Sequence, residues 1–105
     1  MVHYLFNSSG NWIAFKVGKN LFNTKGKWIG WFPWDDKTAV NTAGSYLGTI
    51  FNNNRLLERC THERFPYPGY PGYPGYPGYP GYPGSVGYLS LPPGTRDVNS
   101  GSLGR

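Results

Sequence analysis

The sequence predicts an all-β protein built from repeated short β-hairpins, followed by an extended low-complexity tract. Three observations carry that expectation. A turn-bearing motif occurs three times between Leu5 and Gly48. A Tyr-Pro-Gly triplet then occurs six times in succession, from Tyr67 to Gly84. No long apolar pattern with a 3.6-residue period competes with strands anywhere upstream.

The first unit reads Leu5-Phe6-Asn7-Ser8-Ser9-Gly10-Asn11-Trp12-Ile13-Ala14. The second reads Leu21-Phe22-Asn23-Thr24-Lys25-Gly26-Lys27-Trp28-Ile29-Gly30, and the third Ala39-Val40-Asn41-Thr42-Ala43-Gly44-Ser45-Tyr46-Leu47-Gly48. They start 16 and then 18 residues apart. Such self-similarity at a near-fixed spacing marks a repeat architecture. Asn at the first position of a type I turn can bond its own backbone, and Ser or Thr follows it comfortably. Gly10, Gly26 and Gly44 then supply the left-handed residue of a G1 bulge. The flanks are β-branched and aromatic, as strands prefer.

Alternation along the outgoing strands sorts the faces. Trp12 lies with Ala14, Trp28 with Gly30, and Tyr46 with Gly48. Ile13, Ile29 and Leu47 face the other way. A large ring two residues from a minimal side chain suggests rings over closely approaching backbones. Both faces are apolar near the turns, so each strand is covered twice, by other hairpins or by another chain.

A fourth unit is less regular. Arg55 to Cys60 reads as a strand, and Val86 to Leu91, beyond the triplets, is the candidate partner, stopped by Pro92-Pro93. The remainder from Gly94 to Arg105 reads as a polar tail. With that pairing the triplets form a long loop; without it they form a terminal stalk. The expected organisation is a hairpin domain over 1–65, the tract over 66–84 and a C-terminal segment over 85–105.

Repeated Asn-x-x-Gly-x-aromatic-aliphatic hairpins in a short chain resemble the β-flower, or four-fold beta flower, family. The resemblance covers about residues 1–60 and rests on the three units quoted above. It implies hairpin petals around a pseudo-symmetric axis, forming a shallow barrel. By analogy of shape alone with tubby-like domains, it also admits a lipid ligand. The irregular fourth unit is the departure from the family's pattern.

The tract holds 6 of the 10 prolines, 6 of the 16 glycines and 6 of the 9 tyrosines, with no charge. A polyproline II-like rod would reach roughly 56 Å over its 18 residues, at about 3.1 Å each. The alternatives are repeated type II turns with Gly at the third position, a collagen-type trimer, and a free tail sampling several forms. The rod is the expectation within an assembly and the tail the expectation for a free monomer.

Length allows one small domain and no second. Net charge is +5, with charged residues only 14% and no basic block. That argues against a nucleic-acid partner. Cys60 is alone, so no intrachain disulfide is expected. No secretory signal and no apolar run of membrane-spanning length appears. The default location is cytoplasmic, with non-classical export or a cell-surface position as the alternative.

Candidate chemistry is thin. Cys60 and His62 offer two ligands where a zinc site needs three or four, and no metal or cofactor is expected. Asp35 and Asp36 follow Pro33-Trp34 and read as a solvated turn. Trp31 and Trp34 form a candidate partner surface. Exposed indoles beside Lys25, Lys27 and Lys37 suit a membrane interface or a glycan platform, against the plainer reading of core rings under lysine stems.

The functional expectation is a non-enzymatic structural protein: a β head with a self-associating tract, forming homo-oligomers. Tyr67, Tyr70, Tyr73, Tyr76, Tyr79 and Tyr82 are the candidate adhesive rings. Arg55, Arg59 and Arg64 are candidates to stack on tyrosines of a neighbouring chain. The alternative is a module for a lipid or small apolar ligand, with the tract as tether.

Overall fold

Local turn chemistry, repeated three times, sets the architecture. A computed structural model describes residues 2–60 and 68–103. Unit one is β1 (Val2–Phe6) and β2 (Trp12–Val17). Unit two is β3 (Asn20–Asn23) and β4 (Trp28–Trp31), and unit three is β5 (Thr38–Asn41) and β6 (Tyr46–Phe51). Then come β7 (Arg55–Arg59), β8 (Thr95–Asp97) and a 3₁₀ turn over Ser100–Leu103.

The three turns are near copies. In each, the Asn N–H donates to the residue four on: Asn7 to the Asn11 carbonyl, Asn23 to Lys27, Asn41 to Ser45. The Asn carbonyl accepts from Gly10, Gly26 or Gly44 at 2.9–3.1 Å. The Asn Oδ1 accepts from the main chain four residues on, at 2.9–3.0 Å. The glycines have φ of 82–89°. The register slips at the same place in each unit, giving pairs Phe6↔Trp12, Phe22↔Trp28 and Val40↔Tyr46. This is the bulged hairpin that the motif predicts.

Successive strands pair antiparallel, and β1 returns to β7 through a parallel pair, Phe6↔Arg55. Seven is odd, so the closing strands must run the same way. The result is a closed barrel with β8 as an additional strand on β7. Equivalent positions fill the interior. Leu5, Leu21 and Ala39 contribute one set and Ile13, Ile29 and Leu47 another, joined by Phe32, Ile50 and Leu56. Gly30 is where adjacent units touch: a Cβ there would overlap the Val40 carbonyl.

The fourth unit corrects the sequence expectation. The partner of β7 is Thr95–Asp97, paired as Leu57↔Asp97, Glu58↔Arg96 and Arg59↔Thr95. Residues 86–91 form no strand. The Val86 and Leu89 N–H groups donate to the carbonyls of Gly10 and Ser8. Those donors are three residues apart, not the two of a ladder edge, so the segment crosses the first turn without extending a sheet. Pro92 and Pro93 do not stop a strand. The Pro92 carbonyl accepts from the Thr95 N–H and hydroxyl, and so starts β8. The polar-tail reading fails for the same region. Val98 and Leu103 are buried in the central cluster, and the Leu103 carbonyl accepts from Asn23 Nδ2.

The tract is therefore an internal connection between β7 and β8. Its glycines from Gly69 to Gly84 all have φ between 84 and 94°. A polyproline II helix needs φ near −75° at every residue. The tract is not a polyproline II rod, and its described part forms no strand, helix or hydrogen-bonded turn. The radius of gyration is 12.8 Å. A compact chain of this length has about 13 Å. The tract lies against the barrel.

Candidate aromatic site under the tyrosine tract

The outer face of units one and two is a second apolar cluster: Phe6, Trp12, Phe15, Phe22 and Trp28. Repeat arithmetic explains its extent. Phe6 and Phe22 are equivalent, as are Trp12 and Trp28. Unit three has Val40 and Tyr46 at those positions. Phe15 and Phe22 stack across the join of β2 and β3 at 5.4 Å. The barrel thus leaves one aromatic face, on two of its units, that needs a cover.

The tract supplies it. Tyr70 and Tyr73 rings meet Trp28 at 5.6 and 5.8 Å, both inclined by 60°. Three triplets later, Tyr79 and Tyr82 meet Trp12, both at 5.9 Å. Tyr76 lies between, over Gly26, where a Cβ would come within 2.6 Å of its ring. The triplet spacing matches the two tryptophans that two repeat units present. Aromatic pairs of this kind add about 0.5–1.5 kcal/mol each beyond burial. The tyrosines nonetheless remain 59–65% exposed. Tyr70, Tyr73, Tyr79 and Tyr82 each pack part of the ring on a tryptophan and leave most of it outside. Tyr67 lies outside the described residues.

Polar anchors hold the tract's middle and exit. The Tyr4 hydroxyl donates to the Pro80 carbonyl at 2.9 Å. Arg55, buried at the start of β7, donates to the carbonyls of Asn7, Ser8 and Gly87. Asp97 on β8 accepts from the Ser8 N–H and hydroxyl at 2.8 and 2.7 Å. First turn, β7, β8 and tract exit are therefore tied together. Gly10 sits under this knot, and a Cβ there would overlap the Val86 carbonyl.

Several expected roles are revised. Arg55 does not stack on tyrosine, because its guanidinium is used on three main-chain carbonyls. Arg59 lies over Phe51, 5.5 Å from the ring centre, and Arg64 lies outside the described residues. Tyr46 does not join the aromatic face. Its hydroxyl shares a hydrogen bond with Thr49 and accepts from the Arg59 N–H. Trp31 is half-buried on β4 and Trp34 is 37% exposed beyond it. They are not part of the tyrosine-covered face. Of Cys60, Thr61, His62 and Glu63, only Cys60 is described, and it is exposed. Asp35 and Asp36 are turn residues. Hydrogen bonds from the Thr38 and Lys37 N–H groups hold the Asp35 carboxyl below its ordinary range, and Asp36 pairs with Lys16 and Lys19.

Sequence reasoning missed Tyr4, Ser8, Arg55 and Asp97. Tyr4 carried a signal, since it alternates with Phe6 along β1. The other three find their partners at the barrel closure and beyond the tract, and no local pattern announces that. Among the described residues, no group of three or more His, Cys, Asp or Glu is placed to hold a metal. No helix among them is long and apolar enough to cross a membrane.

No curated protein and no solved structure matched the chain. A family model did, over residues 2–91, which takes in the three hairpin units, β7 and the whole tract. The chain therefore belongs to the 4-fold beta flower protein family.

Proposed function

We propose that the protein is a non-catalytic structural module that associates with copies of itself through its tyrosine tract. The observation that carries this reading is the half-used state of the rings. Five tyrosines, one every three residues, are pinned along one edge yet stay 59–65% exposed. The barrel face presents them as a row. Tyrosine offers a large amphipathic contact at small entropic cost. The tract has no charge to repel a second tract. Several weak contacts along one strip reinforce one another once the first forms. The alternative of an apolar ligand inside the barrel gains nothing from the interior, which Leu5, Leu21, Phe32 and Leu56 fill.

Sedimentation velocity over a hundredfold concentration range tests the proposal. The parent should gain mass with concentration. A variant with all six tract tyrosines changed to Ser should remain at the monomer position. A parent that stays monomeric throughout, or a variant that associates like the parent, overturns it.

A further inference from the structure

The tract does not lie flat on unit two. Between them is a cleft of about 570 Å³ lined by Lys25, Lys27, Trp28, Thr42 and the rings of Tyr70, Tyr73 and Tyr76. That volume is in the range of small-molecule sites. We infer that this cleft binds an acidic saccharide, one carrying a carboxylate or sulfate group.

The lining is unbalanced in a way that defines the ligand. Among the described residues it contains two cations and no carboxylate. Lys25 and Lys27 are exposed and form no ion pair among the described residues. The Trp28 indole N–H is buried without an acceptor among the described residues. The excess of donors calls for an anion, and the aromatic walls call for a ring.

Ring geometry favours a sugar over a flat heterocycle. Tyr70 and Tyr73 are each inclined by 60° to Trp28. Those surfaces make a trough. Neither phenol lies parallel to the indole, so Trp28 and a tyrosine form no slot that would sandwich a base. A pyranose is thicker, lays one C–H face on an exposed phenol ring of Tyr70, Tyr73 or Tyr76, and directs hydroxyls toward phenol and threonine oxygens. The ammonium groups of Lys25 and Lys27 at the turn then meet the acidic substituent as charge-assisted partners.

The cleft shares Tyr70, Tyr73 and Tyr76 with the self-association strip, whereas Lys25 and Lys27 belong to the cleft alone, so changing the lysines tests saccharide binding with every tyrosine in place. The test is titration of the full chain with a sulfated, uronate-bearing heparin disaccharide, with cellobiose as the neutral comparison and AMP as the planar anion. Calorimetry gives affinity, and the indole N–H resonance of Trp28, assigned with Trp28→Phe, gives location. The acidic disaccharide should bind saturably and shift that resonance. Lys25→Gln/Lys27→Gln should weaken it at least tenfold while leaving the Trp12 indole resonance unmoved, which shows the fold intact. Cellobiose should bind at least tenfold more weakly. Absence of binding by the acidic disaccharide, equal binding of cellobiose, tighter binding of AMP, or undiminished binding by the lysine variant overturns the inference.

Discussion

At the scale of residues, the glycines separate two effects that a sequence merges. Gly10 and Gly18 both have positive φ, 89° and 59°. Either changed to Ala incurs the left-handed penalty of about 1–2 kcal/mol. Only Gly10 lies under another segment, and a methyl group there must displace the Val86 carbonyl. Gly18 has open space around it. Urea unfolding should therefore find Gly10→Ala more destabilising than Gly18→Ala. Equal losses would mean that the tract exit does not rest on the first turn. The positive φ was legible from Asn-x-x-Gly spacing, since the turn is local. The crowding was not, because its cause is 76 residues downstream. Arg55 illustrates the same limit: from sequence it reads as a partner for tyrosine rings, until its carbonyl partners are placed around it.

At the scale of elements, units one to three were readable because each carries its own turn, bulge and strand pair within 12 to 16 consecutive residues. Unit four was readable only in its first half. Its second strand has three residues, Thr95–Asp97, and none of them is apolar. It is held by the ladder to β7, by Arg96 to Glu58, and by Asp97 to Ser8. Val86 to Leu91 has the better strand composition, but it is drawn across the first turn instead. The segment after β8 carries much of the fourth unit's packing, through Val98 and Leu103. Leu103→Ala should cost about 2–5 kcal/mol, the usual loss for a buried leucine. A thermal midpoint unchanged within a degree would return 98–103 to the status of a tail. Cutting the chain after Gly94 should be more damaging still, because it removes β8 as well.

At the scale of the whole molecule, the central claim is that barrel and tract are one structure. The repeat gives two outer tryptophans, the triplets give two pairs of tyrosines at matching intervals, and the exit is tied down at the first turn. Pro-Gly repeats read as stiff or free material, so the sequence predicts a tract that projects from the head. Its actual course depends on the outer aromatic face, which the sequence shows as Trp12 and Trp28 without saying what covers them. The proposed self-association and the inferred saccharide binding both build on this docking, since it creates the row of exposed rings and one wall of the cleft. No single contact secures it. At about 0.5–1.5 kcal/mol per ring pair, loss of one tyrosine is tolerable and loss of four is not. The most direct test is nuclear Overhauser spectroscopy on dilute, monomeric protein with labelled tyrosine and tryptophan. Docking predicts cross-peaks from Trp12 to Tyr79 and Tyr82, and from Trp28 to Tyr70 and Tyr73. Tyrosine signals that collapse to one random-coil envelope, with no cross-peak to either tryptophan, would contradict it.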